Sequence, residues 1–110
     1  MATYSNVPSI KASVSVNLTV PANGTSTIIA PNGIQCAEIT YFYVRNTGSG
    51  SVEILINDVV IKTIGGGGAS FENLLLMKIG PGSTLKVRNV IGSGASAEVK
   101  AFGVIYENGL

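Results

Sequence analysis

Apolar and polar residues alternate most cleanly around the middle of the chain. Val52, Ile54 and Ile56 alternate with Glu53 and Leu55, the period of two expected of a pleated strand with one buried face. Asn57-Asp58 follows, and then a second apolar run, Val59-Val60-Ile61. Asn and Asp tolerate the positive φ that primed two-residue turns require, so 52–56 and 59–64 are predicted to form a hairpin. The rest of the chain reads in the same way. Val14, Val16, Leu18 and Val20 alternate with Ser13, Ser15, Asn17 and Thr19, giving a half-buried strand over 11–20. Pro21-Ala22-Asn23-Gly24 and Pro31-Asn32-Gly33 are turns by composition and bound a strand at 25–30.

The strand predicted over 35–45 places Ala37, Ile39, Tyr41 and Tyr43 on one face, with Cys36, Glu38, Thr40, Phe42 and Val44 on the other. Both faces are apolar toward its middle. Packing in the core is the ordinary fate of Tyr41 and Tyr43; a sugar-stacking platform and a subunit contact are the other placements. After the TGSGS loop at 47–51 and the hairpin come four glycines, 65–68, which read as a flexible loop. They are not a phosphate loop, because no Lys-Ser or Lys-Thr follows them. Residues 70–79 are expected as a strand that is apolar on both faces at Leu74-Leu75-Leu76-Met77, with a one-turn helix before it left open. Gly80-Pro81-Gly82 is a turn, 83–90 a strand, and 97–107 the last strand. Its Val99, Ala101, Gly103 and Ile105 share one face. The other face passes from charged, at Glu98 and Lys100, to apolar and aromatic, at Phe102, Val104 and Tyr106.

About eight short strands with regular turn signals and no helical periodicity predict an all-β fold, an antiparallel β-sandwich. Eight strands suit a jelly roll; an immunoglobulin-like sandwich is the alternative, although the chain has no Trp and no Cys pair. A length of 110 residues fits one domain, expected at 10–110, preceded by an extended N-terminal arm at 1–9 holding Tyr4 and Val7. Pro8 favours an extended segment before it.

Charge changes the picture more than length does. Only 12% of the residues are charged while 45% are hydrophobic, and the mean hydropathy is +0.42. That balance fits either a well-packed monomer with a Ser, Thr, Asn and Gly surface or a subunit whose outer faces are covered by neighbours. The second reading is the expectation. A net charge of +1 with scattered cations leaves no electrostatic footprint for nucleic acid or an anionic membrane. MATYSNVPSI has neither a basic n-region nor an apolar h-region, so no secretory signal is expected, and no stretch is apolar enough for a membrane helix.

Candidate chemistry is sparse. The chain contains no His, which removes Ser-His-Asp and Cys-His catalysis and most zinc sites. Its six acidic residues show no spacing that favours a glycosidase pair, and Asn57-Asp58 is a poor fragment of a calcium site. Cys36 is the single cysteine and is expected to be a small buried hydrophobe. The expectation is a protein that is not an enzyme and that binds no cofactor, metal or nucleic acid.

The opening strand SVSVNLTVPANGTSTIIAP, the hairpin VEILINDVVI, the turn and strand IGPGSTLKVRNV and the final AEVKAFGVIYE together resemble the small β-sandwich accessory proteins of tailed bacteriophage particles. These are capsid decoration (cement) proteins and fibre-tip domains. The resemblance covers most of the chain and is one of style, without a diagnostic motif. It implies a homo-oligomer, a trimer by preference, that sits on the virion and binds the major capsid protein or another virion protein. The candidate contact residues are Tyr4, Val7, Tyr41, Tyr43, Phe102, Val104 and Tyr106. The alternative is a receptor- or carbohydrate-binding fibre or tail module, with Tyr41, Tyr43 or Tyr106 stacking on sugar.

Overall fold

The computed structural model describes residues 8–48, 50–90 and 96–108, with side chains for 12–48, 50–90 and 96–107. Within them the strands are β1 (Pro8–Val20), β2 (Thr25–Ile29), β3 (Gln35–Asn46), β4 (Val52–Ile56), β5 (Val59–Ile64), β6 (Ser70–Asn73), β7 (Met77–Ile79), β8 (Leu85–Asn89) and β9 (Ala97–Asn108). They form two antiparallel sheets. One has the order β1-β9-β3-β6, with β7 also paired to β3; the other is β2-β8-β4-β5.

The predicted hairpin is there, with Asn57 at φ 52° and Asp58 at φ 63° closing β4 on β5. It is the tip of a much longer ribbon. Moving outward along the chain from the tip, β3 pairs with β6 and β7, β2 with β8, and β1 with β9. Rolling that ribbon into two stacked sheets gives a jelly roll of eight strands, with β6 and β7 as pieces of one interrupted strand. The immunoglobulin alternative fails on connectivity. There the first two strands share a sheet, whereas here β1 and β2 lie in different ones.

The core lies between the sheets and is aliphatic apart from Phe42. Val20, Ala37, Val44, Val52, Ile54, Leu85, Val87 and Val99 are fully buried, each from a strand position that alternation points inward. One end of the sandwich is tied by buried Asn46. Its Nδ2 is shared among the carbonyls of Gly50 (2.7 Å), Ile64 (3.2 Å) and Gly65 (3.0 Å), and its Oδ1 accepts from the Gly48 amide (2.9 Å). The 65–68 loop is held there too, contrary to the slack connection that four glycines suggest. Gly67 N donates to Gly48 O (2.7 Å) and Gly68 N to Asn46 O (2.9 Å), with φ of 83° and 85° at these two glycines.

Three further departures from the sequence reading concern where strands begin, break and turn over. β1 starts at Pro8, so residues 8 and 9 belong to the sheet and not to an arm. The strand expected over 70–79 is broken at 74–76. In β3 a bulge inserts Thr40: Ile39 faces Gly103 and Tyr41 faces Phe102. Before the bulge Ala37 and Ile39 point into the core; after it Phe42, Val44 and Asn46 do. Tyr41 and Tyr43 therefore leave the face they would share with Ala37 and Ile39 and turn outward. Gly103 makes this possible, because a Cβ there would overlap the Glu38 carbonyl oxygen and sit 2.9 Å from its carbon.

Candidate functional site

The bulge gathers the sequence-predicted contact residues on one surface, the outer face of the β1-β9-β3-β6 sheet. Tyr41 lies opposite Phe102, Tyr43 opposite Lys100, Glu38 opposite Val104 and Cys36 opposite Tyr106. The rings of Tyr41 and Tyr43 are 6.5 Å apart at 7°, and those of Tyr41 and Phe102 are 5.8 Å apart at 23°. The Lys100 ammonium stands 6.0 Å from the centre of the Tyr43 ring. β1 supplies the neighbouring row, with Ser13, Ser15, Asn17 and Thr19 exposed opposite Val104, Phe102, Lys100 and Glu98. Tyr4 and Val7, the other two candidates, lie outside the described residues.

Carboxylates orient two of the phenols. Tyr41 donates to Glu72 Oε2 at 3.0 Å and Tyr106 to Glu38 Oε2 at 2.9 Å, with Lys78 Nζ 3.7 Å from that same Glu38 oxygen. Partial burial and the Glu72 carboxylate raise the Tyr41 hydroxyl above the usual phenol range. The hydrogen bond to Glu38, followed by partial burial and the neighbouring Cys36, pushes Tyr106 up to about 12. In both cases the carboxylate accepts the phenolic proton, and losing that proton would set two negative charges together. Cys36 is half-buried on this outer face, not the core hydrophobe that its lone occurrence suggests. Among the described residues no three His, Cys, Asp or Glu side chains stand together in a metal-holding group.

A second surface was not singled out by sequence. Val59, Val60 and Ile61 on β5 and Leu74, Leu75 and Leu76 at the β6–β7 break are between 40% and 78% exposed. β5 is the edge of one sheet and β6–β7 the edge of the other. The Lys62 ammonium, 5.8 Å from the centre of the Phe71 ring, spans the gap and places both edges on the same side of the sandwich. The break lies beside the β3 bulge: Phe42 pairs with Asn73 and Ile39 with Met77, so three residues of the edge pass two of β3. Asn73 Oδ1 accepts from the Leu75 amide at 3.1 Å, which holds the loop away from the ladder. β5 has a bulge of its own at Ile61, since Ile54 faces Lys62 and Leu55 faces Val60.

No family model and no curated protein matches this chain. Among solved structures it is similar to a chain from the Bacillus endospore appendages, a novel family of disulfide-linked pili. That match has a TM-score of 0.56 at 18% identity and covers 98% of this chain and 96% of that one. The likeness is one of fold. A carbohydrate-binding module, CBM36 in complex with calcium and xylotriose, aligns over 94% of both chains at 13% identity, but a TM-score of 0.33 is too low to argue from. What the pilus chain shares with the resemblance read from the sequence is a small β-sandwich.

Proposed function

We propose that this protein is a non-enzymatic structural subunit that assembles with copies of itself through the lateral side of the sandwich. The carrying observation is the six exposed aliphatic residues at β5 and the β6–β7 break. Three consecutive leucines in water do little for an isolated subunit. Each would contribute about 1.5–3 kcal/mol gross if fully buried against a neighbour. Among the described residues no further strand lies beside β5, and unpaired edge groups are a template for pairing with another chain. With 12% charged residues there is little repulsion to keep copies apart.

A chain of similar fold belongs to a family of disulfide-linked pili, which supports a reading in which copies assemble. The chemistry of linkage differs. Cys36, the single cysteine of the sequence, could join two subunits at most, so disulfides alone would not carry assembly of this chain beyond a pair. The resemblance to phage accessory proteins suggests the setting: a closed homo-oligomer, a trimer by preference, on the virion, made in the host cytoplasm and bound to the major capsid protein or another virion protein. Light scattering behind a sizing column tests the assembly. The wild type is expected as a trimer or larger, and the Leu74→Ser/Leu75→Ser variant as a folded 11.3 kDa monomer. A wild type that stays monomeric at high concentration contradicts the reading.

A further inference from the structure

The outer aromatic face has a composition unlike that of the lateral side. Parallel rings at 6.5 Å and 5.8 Å are too far apart for face-on contact, where carbon atoms approach to about 3.5–4.0 Å. Tyr43, Tyr41 and Phe102 form a run of spaced, near-parallel rings across β3 and β9, half-buried at the tyrosines and 40% exposed at Phe102. Polar groups border the run. Ser15 and Asn17 are exposed on the β1 side, opposite Phe102 and Lys100. On the β6 side Glu72 accepts from Tyr41 with Oε2 and keeps a second carboxylate oxygen for another donor.

The charges of the face are largely matched within it. Arg45 lies 3.8 Å from Glu98 and Lys78 lies 3.7 Å from Glu38, while Lys100 stands over the Tyr43 ring. A surface built this way does not favour a polyanion, whose binding needs several cations aimed at phosphates. Nor does it suit a protein partner. Its four rings and Val104 are interrupted by polar and charged side chains and form no continuous apolar centre of the kind a stable protein interface buries. The ligand that matches is neutral, has flat apolar faces of ring size, and carries hydroxyls at its edges.

We propose that this face binds carbohydrate, with successive pyranose rings laid against Phe102, Tyr41 and Tyr43. A pyranose ring presents C–H bonds on its faces and hydroxyls around its rim, so it gains from ring contact and hydrogen bonding together. Ser15, Asn17 and Glu72 meet the rim hydroxyls. The site is separate from the lateral side and does not depend on self-assembly.

The test is titration of ¹⁵N-labelled full-length protein with neutral cello-, xylo-, chito- and malto-oligosaccharides, alongside a single-stranded oligonucleotide. At least one sugar is expected to give saturable shifts centred on β3, β9 and β1. Tyr43→Ala and Phe102→Ala are each expected to weaken binding at least tenfold, Phe102→Trp to preserve it, and Leu75→Ser to leave it unchanged. The amide spectrum of each variant reports whether it folds, and Phe102→Trp with Leu75→Ser keeps the test decisive if an alanine variant does not. Silence with all four sugar series overturns the proposal. So do shifts that survive loss of both rings, or the same residues answering to the oligonucleotide instead.

Discussion

Gly103 and Thr40 decide which way the tyrosines face. Thr40 is the extra residue of the bulge and its hydroxyl donates to the Phe102 carbonyl at 3.2 Å; Gly103 lets the Glu38 carbonyl approach. The signal was present in the sequence, since a glycine inside a strand pattern marks a bulge or a close backbone approach. Alternation alone hid it, because Tyr41, Phe42, Tyr43 and Val44 are apolar in either phase. On the face so formed, Tyr106 yields a pH prediction. Its folded pKa is raised from 10.0 to about 12, so its bond to Glu38 stabilises the fold fully below pH 10. That contribution is lost as pH rises through 12. Urea midpoints should therefore separate wild type from Tyr106→Phe at pH 8–9 and converge toward pH 12. A gap that stays constant across that range would mean that the Tyr106–Glu38 bond does not stabilise the fold.

At the scale of elements, the β4–β5 hairpin was legible because everything that makes it is local. Two residues suited to positive φ sit between two runs of strand-forming side chains. The turn is also docked: Asn57 N donates to Thr84 O at 3.0 Å, and Asn57 Oδ1 accepts from Thr84 N at 3.1 Å. Asn57→Ala loses the side-chain bonds to Thr84 N and Ser83 Oγ and leaves alanine, which lacks the tolerance of Asn, in the left-handed region. It should cost about 2 kcal/mol in equilibrium unfolding. A change below about 0.5 kcal/mol would mean that the turn does not depend on this residue. The break at 74–76 was not legible, because a leucine run reads as a doubly buried strand wherever its edge position is unknown. It lies beside the β3 bulge, which is distant from it in the chain.

For the whole molecule, the sandwich could be read from strand count and turn spacing, and the strand order could not. β1 pairs with β9 from Pro8↔Asn108 to Val20↔Ala97, and no local pattern encodes a partner so distant in sequence. The rolled ribbon has a consequence for assembly. Its tip strand β5 ends as an edge, and the interrupted β6–β7 strand ends as the edge of the facing sheet on the same side. That side exposes Val59, Val60, Ile61 and the three leucines together, away from the aromatic face that the sequence pointed to. Hydrogen exchange at two concentrations shows whether copies meet through the lateral side. The amides of 59–64 and 74–77 should exchange markedly more slowly in the concentrated, assembled protein than in dilute monomer, while those of Ser13, Ser15 and Asn17 on the aromatic face stay unchanged. Equal exchange of 59–64 and 74–77 in both states, in a protein that light scattering finds assembled, would contradict the account and move the contact elsewhere.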